Sequence, residues 1–129
     1  MLVEQAGASA CFAEGYVTYS NEAKEKNLGV SHEVLEACGA VNEQTARQMA
    51  EGVRRRGEAD YGVATTGIAG PDGGTAEKPV GLVYIACAHA AGTQVERHVF
   101  SGDRTRVRTQ AAERALALLE ECMAKEQSL

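Results

Sequence analysis

The sequence predicts an α/β layered sandwich in which a mixed β-sheet is packed by helices. Three observations support this class. Strand-like and helix-like segments alternate along the chain, two apolar segments near residue 90 are close enough to form a hairpin, and a long amphipathic segment follows them. A chain of 129 residues can build one substantial core but not two. We therefore expect residues 1–129 to form a single domain.

The first elements are a strand and two short helices. FAEGYVTYS, residues 12–20, mixes aromatic and β-branched residues, which is typical of a strand. Helices are expected at 21–29 and 31–39, because Asn21 and Ser31 are suited to cap their N-termini and a glycine ends each segment.

The clearest helix of the first half is NEQTARQMAEGVRRRGE, residues 42–58. Asn42 is suited to cap it, and Glu43 lies in its first turn. Its apolar stripe consists of Ala46, Met49, Ala50 and Val53. The three arginines at 54–56 close the helix, where cations meet the negative end of its dipole, so a structural role is favoured for them.

The second half contains three strands and one long helix. Residues 61–69 have the pattern of a buried strand, and the apolar run at 80–90 indicates a strand that is buried on both faces. Residues 93–102 alternate and are expected to form a hairpin with that run. Asp103 is suited to cap the long helix that follows. Its buried stripe comprises Val107, Ala111, Ala115, Leu118 and Leu119.

Composition limits the location and the partners. The net charge of −5 argues against nucleic acid as a partner, and no apolar run approaches the length of a membrane span. The N-terminus lacks the pattern of a signal peptide, so we expect a cytoplasmic protein with no membrane partner. The four scattered cysteines and three histidines show no metal-ligand spacing, which favours free thiols over disulfides or zinc.

Residues 65–81, TTGIAGPDGGTAEKPVG, contain seven glycines and prolines between two predicted strands. The segment returns into a strand rather than opening a helix, which excludes the P-loop and the dinucleotide fingerprint. It could be a plain turn-rich connection. Its length instead favours a functional loop, whose glycines would let backbone N–H groups approach an anion or an oxyanion.

Two further clusters are candidates for chemistry. In YSNEAK, residues 19–24, Lys24 could serve as a general base for a nucleophile such as Ser20, or it could be a solvated helix residue beside a helix cap. In SGDRTRVR, arginines stand where the helix dipole disfavours cations, so an anion site and a solvated face are both open. These arginines are Arg104, Arg106 and Arg108.

Four segments together resemble the CinA C-terminal domain family, the nicotinamide-nucleotide amidases also described as competence/damage-inducible proteins. The segments are GYVTYSNEAKEKNLGV, GAVNEQTARQMAEG, TGIAGPDGGTAEKPVGLVYIA and FSGDRTRVRTQAAERAL. The resemblance runs from about residue 12 to residue 119 in order, and TGIAGPDGGTAEKPVG is its most specific part.

The resemblance implies hydrolysis of nicotinamide mononucleotide to nicotinic acid mononucleotide and ammonia by a serine–lysine pair, with no metal and no cofactor. It gives Lys24 the role of base and makes Tyr19 part of the proton relay. It implies substrate-binding roles for Thr66, Gly67, Ala69 and Gly70, and phosphate binding by Arg104 or, as second choice, Arg106. The partners that it implies are a small-molecule nucleotide and further copies of the chain, in a homo-oligomer.

The sequence departs from the family at one point. Family members begin with a helix-strand-helix whose AESCTGG-type turn supplies the nucleophilic serine, and these 129 residues contain no such turn. We therefore expect a domain that is N-terminally truncated relative to the family, with a sheet edge or apolar face that another chain covers. The alternatives are a non-catalytic relative that binds a nucleotide or a protein, and an enzyme that uses Ser20 with Lys24.

Overall fold

A computed structural model describes residues 2–4 and 6–127 of the protein. Its helices are α1 (Asn21–Leu28), α2 (His32–Cys38), α3 (Glu43–Arg56) and α4 (Arg104–Gln127), and its strands are β1 (Gly62–Gly67), β2 (Leu82–His89) and β3 (Gly92–Val99). The expected α/β class and all four helices are confirmed. None of the helices in the described ranges is both long and apolar enough to cross a bilayer.

The three strands form one sheet in the order β1-β2-β3. Gly67 pairs with Val83, and Leu82 pairs with Val99, in two antiparallel ladders. The expected hairpin between β2 and β3 is confirmed. The sheet differs from the expected mixed sheet, because both of its described strand pairs are antiparallel.

The prediction of a strand at residues 12–20 is wrong. Phe12–Tyr19 carries no regular secondary structure, and Ser20 leads directly into α1. Val17 is 92% exposed and Tyr19 is 86% exposed, so their side chains pack against almost nothing. Aromatic and β-branched residues favour a strand only when a neighbouring strand is present to pair with them. In the described part of the chain β1 pairs with β2 alone, so its other edge is unpaired.

The sheet separates two cores because successive strand residues point to opposite faces. On one face, Ala64, Ala86 and Ala88 pack in a cluster with residues of α1, α2 and α3. On the other face, residues of β2 pack against α4. That second cluster consists of Val83, Ile85, Cys87, Val107, Ala111, Ala115, Leu118 and Cys122. The protein therefore has three layers, with β2 buried on both faces as predicted.

Helix α3 approaches its neighbours unusually closely at two glycines. A Cβ at Gly62 would lie 2.4 Å from the carbonyl oxygen of Ala50, and a Cβ at Gly52 would lie 1.9 Å from that of Leu28. Neither distance leaves room for a carbon atom. These glycines therefore let α3 rest directly on β1 and on the end of α1.

The helix caps match the predictions at three of four positions. Ser31 and Asn42 cap α2 and α3, and Asp103 accepts a hydrogen bond from the backbone N–H of Arg106 at 2.9 Å. The cap of α1 is Ser20, whose Oγ accepts from the N–H of Ala23, and not Asn21, which is already helical. Either side chain can cap a helix, so their order in the sequence did not distinguish them.

The structure shows no disulfide among the four cysteines. Cys87 and Cys122 are buried, and the Cys122 Sγ lies 3.2 Å from Gln94 Oε1. Cys11 and Cys38 are exposed.

Candidate functional site

Lys24 is a buried cation on the second turn of α1. Only 6% of the residue is exposed, and its Nζ donates a hydrogen bond to the carbonyl oxygen of Thr18 at 2.6 Å. Burial lowers the pKa of Lys24 below its ordinary value, because the charged form loses hydration. No carboxylate of the described residues forms an ion pair with it, so no opposite charge offsets that loss. This lysine is not the solvated helix residue that the sequence also allowed.

The two polar residues just before α1 do not join Lys24. The Ser20 hydroxyl accepts a hydrogen bond from the Ala23 N–H at 3.0 Å, as a helix cap. Tyr19 is 86% exposed, and its hydroxyl makes no hydrogen bond within the described ranges. The structure therefore places Ser20 in a capping role and leaves the Tyr19 side chain in solvent.

Residues 68–81, which we call the glycine loop, join β1 to β2. Gly70 and Gly74 adopt left-handed backbone angles, with φ of 85° and 87°. A Cβ at Gly70 would lie 2.5 Å from Val80 Cγ1, and a Cβ at Gly74 would lie 2.9 Å from the Val80 nitrogen. These glycines therefore serve first to fold the loop around Val80.

Thr66 and Gly67 lie at the end of β1, where the glycine loop begins. Thr66 is buried, and its hydroxyl donates to the carbonyl oxygen of Ala40 at 2.7 Å. A Cβ at Gly67 would lie 2.7 Å from the carbonyl oxygen of Leu82, so a side chain there would push β2 away. Packing accounts for both residue types, while the backbone of Gly67 remains exposed to solvent.

The arginines of α4 lie beside the glycine loop. Arg104 Nη1 donates to the carbonyl oxygen of Gly70 at 2.7 Å, which fixes the loop against the start of the helix. The Arg106 side chain lies against Gly102, and its guanidinium makes no hydrogen bond or ion pair with any other described residue. An open pocket of about 490 Å³ lies here. Its lining residues are Ala69, Pro71, Val80, Gly102, Asp103, Arg104 and Thr105.

A turn that the sequence patterns did not indicate lies next to these residues. At residues 38–40 all three carbonyl oxygens accept hydrogen bonds from side chains of the cap residue Asn42, of α3, of β1 and of the glycine loop. The donors are Asn42 and Lys78 to Cys38, Asn42 and Thr45 to Gly39, and Thr66 to Ala40. The sequence indicated only that a helix ends at Gly39, and it gave no sign that the three carbonyl groups would be hydrogen-bonded.

The predicted site residues thus form two groups. Ala69 and Arg104 line the pocket, Gly70 is joined to Arg104 by a hydrogen bond, and Thr66 and Gly67 lie at the start of the same loop. Lys24 and Tyr19 lie at the start of α1, and no hydrogen bond between described side chains links them to the first group. A larger pocket, of about 610 Å³, lies at the opposite end of the sheet beside the β2–β3 turn and contains none of these residues.

Comparison with known proteins relates most of the chain to one family. The family model described as the CinA C-terminal domain matches residues 1–123. A CinA-like protein of Anaeromyxobacter sp. strain K is 55% identical over 119 residues, which are 92% of this chain and 29% of that protein. The chain spans roughly 26% to 30% of the length of the curated relatives that it matches.

Solved structures agree with this relationship. A competence-damaged protein (CinA) superfamily protein of Klebsiella pneumoniae 700603 superposes with a TM-score of 0.91 at 36% identity, over 96% of this chain and 78% of that one. The competence/damage inducible protein CihA of Agrobacterium tumefaciens gives a TM-score of 0.85 at 47% identity, over 92% and 73%. The chain belongs to the CinA C-terminal domain family.

Proposed function

We propose that this chain forms part of a cytoplasmic nicotinamide-nucleotide amidohydrolase, which converts nicotinamide mononucleotide and water into nicotinic acid mononucleotide and ammonia. The observation that carries the proposal is Lys24. A lysine that is almost fully buried, has a lowered pKa and has no carboxylate partner among the described residues is suited to act as a base rather than as a structural ion.

The hydrogen bond to Thr18 suits Lys24 for this role. One N–H is held by the Thr18 carbonyl oxygen, so the lone pair of a neutral amine would point elsewhere. That lone pair would take the proton of a serine hydroxyl as the oxygen attacks the amide carbon, and the resulting ammonium would pass the proton to the departing nitrogen, which leaves as ammonia. Water, deprotonated by the same amine, would then attack the acyl–serine ester, releasing the carboxylic acid as the proton returns to the serine oxygen. By family resemblance, the serine would come from a segment outside these 129 residues.

The glycine loop and α4 would bind the substrate. The exposed backbone of Gly67 could face the amide carbonyl. The phosphate could lie at the N-terminus of α4, where free N–H groups and the Arg106 guanidinium favour an anion. Arg104 would act mainly through Gly70, because its guanidinium already donates to the Gly70 carbonyl. Arg106 is therefore our first choice for the phosphate contact.

We also propose that the domain associates with further polypeptide, and that it works as a homo-oligomer. One edge of β1 pairs with no other described strand, which supports this, as do the exposed side chains of Val17 and Tyr19 in the segment before α1. Sedimentation analysis at micromolar concentration tests the idea. A strictly monomeric mass would count against it.

A second candidate function is binding without catalysis, of a nucleotide or of a protein. It is favoured by the hydroxyl groups near Lys24, because Ser20 caps α1 and Tyr19 projects into solvent. Neither hydroxyl is held as a nucleophile beside the amine. The same arrangement argues against an enzyme that uses Ser20 with Lys24.

The deciding experiment measures ammonia release from nicotinamide mononucleotide. It compares this chain with a form that carries a family-type N-terminal segment, and calorimetry measures nucleotide binding by both. We expect activity only in the extended form, and about a 100-fold loss or more when Lys24→Met removes the base. Lys26→Met, an exposed lysine on the same helix, is the matched control and should leave the rate unchanged.

Each other outcome has a definite meaning. Turnover by the unextended chain would place the nucleophile among its own residues and contradict the mechanism. Full activity of Lys24→Met in the extended form would exclude Lys24 as the base. Nucleotide binding without hydrolysis in either form would favour the binding function.

A further inference from the structure

Two cationic side chains fasten the glycine loop to its surroundings, one on the side of α4 and one on the side of α2. On the α4 side, Arg104 donates to the carbonyl oxygen of Gly70. On the α2 side, the loop's own Lys78 donates from Nζ to the carbonyl oxygen of Cys38 at 2.5 Å. Since α2 and α4 belong to different layers, these two contacts connect the loop to both sides of the sheet.

The Lys78 contact has a clear physical basis. Cys38 is the last residue of α2, where unpaired carbonyl groups and the helix dipole attract a cation. Gly39, whose φ of 78° favours glycine, follows Cys38 directly, and a Cβ there would lie 3.6 Å from the Lys78 Nζ, in ordinary van der Waals contact. The Cys38 carbonyl also accepts from Asn42, which caps α3. The lysine therefore contacts a turn that is already fixed.

The backbone of Lys78 is ordered as well. Its N–H donates to Thr75 Oγ1 at 3.0 Å, and its carbonyl oxygen accepts from the Thr75 N–H at 2.7 Å. Residues 75–78 thus form a closed turn that presents the lysine side chain outward from the loop. By contrast, residues 71–77 are all exposed to solvent, so few packing contacts restrain the tip of the loop.

We propose that Lys78 is a positioning residue, whose ammonium on the Cys38 carbonyl holds the glycine loop in its substrate-binding shape. The effect on substrate rests on the proposed function, whereas the effect on the loop does not. Lys78 would not touch the nucleotide. It would act by keeping the backbone between Gly67 and Gly70 at a fixed distance from the turn at 38–40.

Hydrogen exchange and nucleotide binding together test this role. Lys78→Met keeps the length of the side chain and removes its charge, and Lys78→Arg keeps a cation that can donate to a carbonyl. We expect Lys78→Met to raise amide exchange in residues 70–78 about tenfold, and to weaken binding of nicotinamide mononucleotide by a similar factor. Lys78→Arg should retain most of the exchange protection of the loop and most of the affinity for the nucleotide. Lys26→Met serves as the control for loss of a surface charge.

Hydrogen exchange and nucleotide binding distinguish the positioning role of Lys78 from the proposed function. Unchanged loop exchange in Lys78→Met would overturn the positioning role, and so would exchange in Lys78→Arg as fast as in Lys78→Met. If the wild-type chain and the extended form bind no nucleotide, the proposed function fails, and the exchange data still decide the role of Lys78. Exchange in α3 and β2 must stay unchanged, since faster exchange there would indicate general unfolding and contradict a local effect.

Discussion

For Gly52→Ala, helix propensity predicts a gain in stability, whereas the tertiary contacts of α3 predict a loss. Gly52 is buried in the third turn of α3. In an isolated helix the change would stabilise by about 1 kcal/mol, because alanine loses less backbone entropy on folding. In this fold, however, the new Cβ would lie 1.9 Å from the carbonyl oxygen of Leu28 and 2.8 Å from its carbonyl carbon.

The contact with the Leu28 carbonyl determines whether the substitution raises or lowers the stability of the fold. The Leu28 carbonyl is backbone at the end of α1, so it cannot move aside as a flexible side chain would. Relief requires a shift of more than 1 Å between α1 and α3, and overpacking of this kind costs typically about 1–3 kcal/mol. For so short a contact we take an overpacking cost of about 3 kcal/mol, and alanine's better helix propensity offsets about 1 kcal/mol of it. The free energy of unfolding should therefore fall by about 2 kcal/mol.

Urea denaturation followed by circular dichroism at 222 nm measures this difference. We expect a lower midpoint with an unchanged slope, and a fall of about 6–8 °C in Tm. Gly57→Ala, just beyond the same helix, is the matched control. Its Cβ would lie 3.2 Å from the carbonyl oxygen of Val53, so it should cost less than about 1 kcal/mol. A Gly52→Ala protein as stable as the wild type would refute the close packing of α1 on α3.

Two predictions concern pH. Arg114 hydrogen-bonds the Glu96 carboxylate through two nitrogens at 2.7 Å, which lowers the pKa of Glu96 to about 2. The stability that this ion pair contributes is present above about pH 5 and is lost as the pH falls through about 2. In urea titrations, Arg114→Gln should therefore lower the free energy of unfolding by about 1 kcal/mol at pH 7 and by almost nothing at pH 2. An equal cost at both values would contradict this. His32 is hydrogen-bonded by Glu25 and lies near Glu36, which raise its pKa. Its stabilising effect should therefore be complete below about pH 6.5 and lost as the pH rises through the folded pKa. An NMR titration should place His32 above about 6.5, and Glu25→Gln should lower the value; a midpoint at or below 6.5 would show that the carboxylates do not act on it.

Local sequence signals were sufficient for most of the elements. Helix α3 was predicted because its cap, its apolar stripe and its terminal arginines all indicate the same structure. The burial of β2 followed from its continuous apolar run. The segment at 12–20 failed for a different reason. Its residues favour a strand, but pairing depends on a neighbour that the local sequence does not describe.

The candidate site was less predictable because its side chains act over long sequence separations. The motif indicated Lys24, but helix α1 has few apolar residues, so its burial could not be inferred from periodicity. Arg104 was expected to bind phosphate, and its contact with the Gly70 carbonyl depends on how the loop folds. The contact between Lys78 and Cys38 spans 40 residues and follows only from the packed structure.

The two faces of the sheet should respond oppositely to mutation. The buried sheet residues on the α3 side are Ala64, Ala86 and Ala88, and Gly62 marks the closest approach of α3 to β1, so these positions leave little room for larger side chains. The opposite interface relies on larger side chains, so truncations such as Ile85→Ala should be the harmful ones there. A saturation scan of residues 85–88 should therefore accept only small residues at Ala86 and Ala88, and should favour larger apolar residues at Ile85.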